Sequence, residues 1–251
     1  MELHALVDLI NAELESRHFQ DYCPNGLQVE GRSAVRKLLT GVTACEALID
    51  EAIAWQADAV LVHHGYFWKN ESARVVGAKK RRLQKLLQHD ISLLAWHLPL
   101  DAHPELGNNA ELARQLGLSV TGPLDPDERH PIGCIGRVQT PLTAAALGEK
   151  LHQILGREPL IIDGGDHPIE TLGWCTGAAQ GFISKAVVAG VDAFISGEIS
   201  ESTVHCAREE GIHYFAAGHH ATERGGVMAL GRWLEASQGL QCRFVDIPNP
   251  V

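Results

Sequence analysis

Three short apolar runs in the first hundred residues, at 38–42, 59–62 and 91–96, alternate with segments of helical spacing, and this alternation leaves few possible architectures. Between the first two, Leu48, Ile49, Ala52 and Ile53 recur on one face of a helix expected over 45–55. Strand, helix and strand in that order make a βαβ unit, whose crossover favours parallel strands. A parallel sheet is covered on both faces, so its strands read as unbroken apolar runs rather than as alternating ones. The fold class is therefore α/β. A basic helix at about 79–89 supplies the next crossover. An amphipathic helix carrying Leu3, Leu6, Val7, Ile10 and Leu14 opens the chain.

In such sheets ligands sit beyond the carboxyl ends of the strands. The run 59–62 stops at His63-His64-Gly65, and the run 91–96 leads into His97-Leu98-Pro99-Leu100-Asp101-Ala102-His103. Adjacent residues on an extended backbone point to opposite sides, so His63 and His64 could serve different ions, or one an ion and the other the core. Pro99 argues for a strand-end loop in place of a regular helix. Beyond it, Asn108 or Asn109 is expected to cap a helix through Leu116.

The polar, proline-rich stretch 121–131 is the linker candidate, dividing the chain into units 1–125 and 126–251. Strands are expected at 132–138 and 160–163 around a helix over 143–155. The second half then echoes the first. Residues 49–61 superimpose on 183–195 with the same apolar pattern and the same Asp-Ala before the strand, which sets His63 and His64 against Gly197 and Glu198. The run 212–217 matches the 91–96 strand, and His97-x-x-x-Asp101 falls on His219-x-x-x-Glu223. A lag of roughly 120 to 135 residues points to a duplicated α/β unit, not a solenoid.

Collected at strand ends, the candidates are His63, His64, His97, Asp101, Glu198, His219, His220 and Glu223. Histidine is in excess, at 14 residues, which directs attention to transition-metal ligands. Imidazole with carboxylate and no thiolate suits divalent zinc, iron, manganese, cobalt or nickel. Two such ions bridged by a carboxylate would generate hydroxide at neutral pH. Each candidate also has a plain structural reading. Asp101 could fix the loop around Pro99, and Glu223 could complement the dipole of a helix over 225–234 capped by Thr222. His103, His205 and His213 read as surface or core histidines. Gly41-Val42-Thr43, Thr176-Gly177-Ala178-Ala179 and Gly218 look like tight turns whose amides could hold an anion.

Other classes find little support. There is no Gly-x-Gly-x-x-Gly and no P-loop, and Ser196 and Ser200 lack an adjacent base. Six cysteines without a Cys-x-x-Cys pair read as reduced, mostly buried side chains. A net charge of −10 repels nucleic acid and anionic membrane, and the only basic cluster, Lys79-Lys80-Arg81-Arg82, reads as a solvated helix face. The N-terminus lacks a signal peptide and no window approaches about 18 apolar residues, so a soluble cytoplasmic protein is expected.

Taken together, Tyr22-x-x-Asn25-Gly26-Leu27-Gln28-Val29, Asp58-Ala59-x-x-x-x-His63-His64-Gly65, His97-x-x-x-Asp101-x-x-x-x-x-Gly107-Asn108-Asn109, Ser196-Gly197-Glu198 and Gly218-His219-x-x-x-Glu223 resemble the NIF-three-like dinuclear metal-centre family. Its members are also called GTP cyclohydrolase 1 type 2 homologues. The resemblance runs from near Leu3 to Ile247-Pro248-Asn249-Pro250 and is to the short bacterial form, which lacks an inserted middle domain. It implies two similar, intertwined α/β units, with the C-terminal part from about 214 packing back on the first. It also implies a homohexameric toroid, a trimer of dimers, with two divalent metal ions per subunit in the cleft between units. Carried over by position, the metal ligands would be His63, His64, Asp101, His219 and Glu223. His97 and Glu198 would stand beside them as catalytic proton carriers. The implied function is a metal-dependent hydrolase acting on a small purine-like or amide-type substrate, with metal-bound hydroxide as nucleophile. The alternatives are a toroidal scaffold for a macromolecular partner such as DNA, and a di-iron oxidase. Residues 126–137 match no motif of the family.

Overall fold

The computed structural model describes residues 1–251 and divides them into two compact α/β units. The first comprises Met1–Leu100 and Gly226–Ile247, the second Asp101–Gly225 and Pro248–Val251. No helix is long and apolar enough to cross a membrane.

The first unit opens with α1 (Leu3–Glu13) and β1 (Gly26–Val29), then runs β2 (Lys37–Thr43), α2 (Glu46–Trp55), β3 (Ala59–His64), α3 (Gly77–Gln88) and β4 (Ser92–Ala95). The chain returns late to supply most of α10 (Arg224–Gln238) and β11 (Gln241–Phe244). Sheet order is β1-β4-β3-β2-β11, with β2, β3, β4 and β11 parallel and β1 antiparallel on the β4 edge. Leu39, Val60, Val62 and Leu93 pack against Leu48, Ile49 and Ala52 of α2. Each fully buried aliphatic side chain of this kind contributes about 1.5–3 kcal/mol. Gly41 lies inside β2, not in an anion-holding turn. A Cβ there would come within 2.6 Å of Leu48, so glycine lets α2 lie close on the sheet.

The second unit holds α4 (Leu98–Ala102), which straddles the boundary, then α5 (Asn108–Leu116), β5 (Ser119–Pro123), β6 (Cys134–Leu142), α6 (Ala144–Leu155), β7 (Leu160–Ile162) and β8 (Ile169–Cys175). After these come α7 (Ile183–Ala189), β9 (Ala193–Ser196), α8 (Glu201–Glu210), β10 (His213–Ala216) and α9 (His219–Thr222). Its sheet runs β5-β6-β8-β9-β10-β7. Trp174, Ile195 and Phe215 pack with Leu147 and Leu151 of α6. Phe194 and Tyr214 pack with Ile183 and Ala186 of α7.

The two sheets share a connectivity. In each, three parallel strands are joined by two helices, and an earlier strand lies antiparallel beside the last of them: β1 on β4, and β7 on β10. The equivalent aspartates do the same work. Asp58 Oδ2 accepts from the amides of Arg36 and Lys37 at 2.8 and 2.9 Å, and Asp192 Oδ2 accepts from Glu170 and Thr171 at 2.9 and 2.8 Å. The helix before each aspartate ends in a left-handed residue, Gln56 (φ 57°) in one unit and Gly190 (φ 68°) in the other.

Several expectations need correction. The first unit ends at Leu100, not near 125, because β5 pairs with β6 and thereby joins the second sheet. The expected linker is thus a connection inside the second unit. Pro99 does not exclude a helix: it sits in the first turn of α4, where its missing N–H has no intrahelical partner to lose. Neither Asn108 nor Asn109 caps α5, whose N-cap is Gly107. The strands β1, β5, β8 and β11 were not evident in the sequence: β1, β5 and β11 are short with weak apolar signals, while the mostly buried β8 is broken by Glu170, Thr171 and Gly173.

Candidate metal centre

In the first unit, β3 ends on His63 and His64, and the chain just after β4 carries His97. One ring nitrogen from each of the three lies within 4.8 Å of the others. Ring centroids are 4.7 Å apart for His63 and His64, 5.0 Å for His63 and His97, and 5.7 Å for His64 and His97.

Each of the three rings meets an oxygen through Nδ1. His63 is fully buried and its Nδ1 donates to the Trp96 carbonyl at 3.0 Å. A carbonyl can only accept, so this bond fixes the tautomer and makes Nε2 the nitrogen that His63 would offer a cation. His64 Nδ1 lies 3.2 Å from Thr43 Oγ1, and His97 Nδ1 lies 2.7 Å from Asp21 Oδ1. Histidines that ligate metals are characteristically held through their other nitrogen by an oxygen partner.

Asp21 carries no signal by itself in the sequence, yet it anchors His97. Its carboxylate also accepts from Asn25 Nδ2 and from the Tyr22 and Leu98 amides, while Asn25 Oδ1 accepts from the His97 amide. Asp21 and Asn25 thus hold the entry to α4. Burial alone would raise the Asp21 pKa, but the His97 imidazole together with Asn25 and Leu98 outweighs it and lowers the value. Cys23 stands in the same neighbourhood, where burial first and Asp21 second push its thiol up to about 12. Gln28 has a positional role: its Oε1 accepts from the Tyr66 amide at 2.7 Å and fills the space beside Gly65 that a Cβ would occupy.

In the second unit, Asp101 on α4, His219 on α9 and Glu223 just after it form a second donor set. Asp101 is 7% exposed and Glu223 3%, and their carboxylate oxygens lie within 4.8 Å of each other. Burying two carboxylates so close is costly unless a cation stands between or beside them. His219 supplies one: its Nε2 lies 3.1 Å from Glu223 Oε2 and its Nδ1 2.7 Å from Glu198 Oε1. Burial would lower the His219 pKa, but the Glu223 and Glu198 carboxylates prevail and raise it to about 9.

The remaining motif residues are the scaffolding of this set. Asn108 Nδ2 donates to Asp101 Oδ1 at 2.8 Å, and Thr176 Oγ1 donates to the same oxygen at 3.4 Å. Asn109 donates to the carbonyls of Asp101 and Ile132 and accepts from the Thr176 amide, so the two asparagines are site supports and not helix caps. Gly177 (φ +69°) passes so close that a Cβ would lie 2.0 Å from Glu223 Oε1. Thr222 accepts from the Gly177 amide and donates to the Gly218 carbonyl, tying the turn to α9 in place of capping α10.

Among the other candidates, His103 Nδ1 accepts from the Glu105 and Leu106 amides and so closes a turn. His213 is buried with its Nε2 3.1 Å from the His167 carbonyl. His220 is half-buried on α9. Ser196 Oγ donates to the Gly177 carbonyl and accepts from the Ala179 amide, a structural use. Two of the four residues of the basic run on α3 are spent on ion pairs: Lys79 with Glu71 at 3.2 Å, and Arg81 with Glu46 at 3.1 Å. Lys85, on the next turn, reaches the same Glu46.

Each donor set therefore fits borderline divalent cations: three imidazoles that meet oxygens through Nδ1 in the first unit, and two buried carboxylates with an imidazole in the second. Comparison with known proteins agrees with the fold and motifs. A model of the family described as Duf34/NIF3 (NGG1p interacting factor 3) matches residues 1–250. A Pseudomonas aeruginosa protein named GTP cyclohydrolase 1 type 2 homolog is 55% identical over 249 residues, covering 99% of this chain and 98% of its own. An Escherichia coli K12 protein of the same name is 53% identical over 247 residues, covering 98% of each. Among solved structures, protein ybgI, described as of unknown function, has a TM-score of 0.97 at 52% identity over the whole of both chains. TTHA1606 from Thermus thermophilus has a TM-score of 0.91 at 39% identity, again over both whole chains. With motifs, sheet connectivity and nearly every residue matched, this chain belongs to the Duf34/NIF3 family.

Proposed function

We propose that the chain is a dinuclear-metal-dependent hydrolase acting on a small purine-like or amide-type substrate. His63, His64, Asp101, His219 and Glu223 would ligate two divalent cations, with Asp101 or Glu223 bridging. The observation that carries this reading is the shared use of Nδ1: His63 and His219 each hand that nitrogen to a carbonyl or carboxylate oxygen, which leaves Nε2 as the nitrogen each would offer an ion. The name borne by the Pseudomonas and Escherichia relatives supports a cyclohydrolase-type substrate, a ring carbon flanked by nitrogens.

Bound, the cations would supply Lewis acidity toward the attacked carbon and lower the pKa of a water. The side chains do the rest. With Nδ1–H held by Asp21, His97 presents Nε2 as a proton acceptor whose ring cannot rotate away. Glu198 fixes the His219 ring and, being half-exposed, can exchange protons with solvent. A homohexameric ring in the cytoplasm remains part of the proposal.

The test is turnover. Protein loaded separately with zinc, manganese, iron, cobalt or nickel is incubated with GTP, and release of formate is followed. Consumption by the wild type and none by His63→Ala is expected. Equal rates for both, or none with any of these metals, would end the hydrolase reading.

A further inference from the structure

Beside the three imidazoles of the first unit stand two aromatic rings that no metal requires. The Trp68 centroid lies 5.0 Å from that of His97, nearly perpendicular at 82°, and 5.9 Å from that of His64. The Tyr22 centroid lies 6.4 Å from that of His97, and Tyr22 is 62% exposed. A ring so exposed contributes little to the core, since burial and not mere presence is what stabilises.

The loop carrying Trp68 is built to place it. Phe67 adopts φ 63°, a left-handed conformation that a bulky side chain enters only at a cost of about 1–2 kcal/mol. Glu71 holds that conformation by accepting from the amides of both Phe67 and Trp68, at 2.7 and 3.2 Å, and Lys79 pairs with Glu71 from α3. The indole is turned by its own N–H, which donates to the Gly65 carbonyl at 3.2 Å. The Lys69 amide donates to the Tyr22 carbonyl at 2.7 Å, so the segments bearing the two rings are stitched together. Strain held this firmly next to a donor cluster signals a placed group.

We propose that Trp68 and Tyr22 are the specificity-determining residues of the site, a wall that stacks on a flat, nitrogen-containing heteroaromatic ring and turns its edge toward His64 and His97. An indole fixed by its own N–H beside two imidazoles, with an exposed phenol ring on the segment bonded to its loop, suits a planar base and discriminates against open-chain amides. Stacking on an aromatic face tolerates many rings, so the wall selects the class while the imidazole edge selects orientation. This assignment narrows the substrate of the hydrolase reading and rests on it for the outcome of binding, though not for binding itself.

The experiment is equilibrium binding of guanosine triphosphate, guanosine and ribose 5-phosphate to the full-length, metal-loaded protein, with metal content measured on the same samples. Wild type is expected to bind both guanine compounds. Trp68→Leu should weaken them at least ten-fold, Trp68→Phe less than three-fold, and Tyr22→Leu about five-fold, with metal content and ribose 5-phosphate binding unchanged throughout. Trp68→Leu binding as wild type does, a wild type that binds neither guanine compound, or equal losses for ribose 5-phosphate would overturn the proposal. So would a change of oligomeric mass in Tyr22→Leu with guanine binding intact, because the ring would then serve an interface. If guanine binding depends on Trp68 but no product forms with any metal, the wall stands and the hydrolase reading falls.

Discussion

Gly177→Ala separates the candidate metal centre from the fold with one methyl group. At φ +69° an alanine costs about 1–2 kcal/mol in backbone strain. Its Cβ would also arrive 2.0 Å from Glu223 Oε1 and 3.3 Å from His219 Nε2. Real Cβ atoms do not approach an oxygen closer than about 3 Å, so the carboxylate must retreat by roughly 1 Å, and crowding of this kind costs a further ~1–3 kcal/mol. The sum, roughly 2–5 kcal/mol, corresponds to a fall in Tm on the order of 5–15 °C for a protein of this size. Ligand distances tolerate only about 0.2 Å, so cation affinity should drop at least ten-fold. Gly190→Ala is the control. Its φ is +68° and no atom lies within 4 Å of the added Cβ, so it bears the backbone strain alone. Thermal unfolding and chelator competition on both variants provide the readout. If Gly177→Ala binds cations as tightly as Gly190→Ala does, Glu223 is not a ligand and the reasoning fails.

Other outcomes follow from the same geometry. Glu198→Gln should keep the fold but cut cation affinity by about 10–100-fold, because the His219 Nδ1 partner loses its charge; chelator competition against wild type measures it. Asp58 and Asp192 have pKa values below the ordinary 3.8; burial opposes this, and the hydrogen bonds they accept outweigh it. Their contribution is present above that value and lost as pH falls through the folded-state pKa. The double variant Asp58→Asn/Asp192→Asn should therefore be less stable at neutral pH by roughly 1–3 kcal/mol and show a shallower loss below about pH 4, read as urea midpoint against pH. In sedimentation velocity a homohexamer would run at six times the 27.2 kDa chain mass, and a monomeric boundary would remove the ring.

The parallel core of each unit was legible because strands buried on both faces leave an apolar run between helical periods. Residues 59–62 and 91–96 gave β3 and β4 within a residue or two, and the match between 49–61 and 183–195 anticipated the shared connectivity. The edge strands, apart from β7, were not. β5 and β11 are exposed or half-exposed and lack the pattern that burial imposes, so a polar, proline-bearing segment read as a linker where a second-sheet hairpin exists. Pro99 misled because a proline forbids the middle of a helix and not its first turn.

At the site, the donors stood out as imidazoles and carboxylates at strand ends, while their supports did not. Asn25 and Gln28 entered only as motif residues without a role, Asn108 and Asn109 also as candidate helix caps, and Asp21 not at all, because they act through hydrogen bonds that leave no periodicity. Asp21 lies 76 positions from the imidazole it holds. The roles of Gly65 and Gly177 depend on what a Cβ would strike, which only the folded backbone reveals.

The most direct measurement is anomalous diffraction at the absorption edge of the copurifying metal, on crystals grown without added metal. Two peaks per chain separated by about 3.5–4 Å are expected, within ligating distance of His63, His64, Asp101, His219 and Glu223. A single peak, or two peaks far apart, would contradict the proposed dinuclear centre.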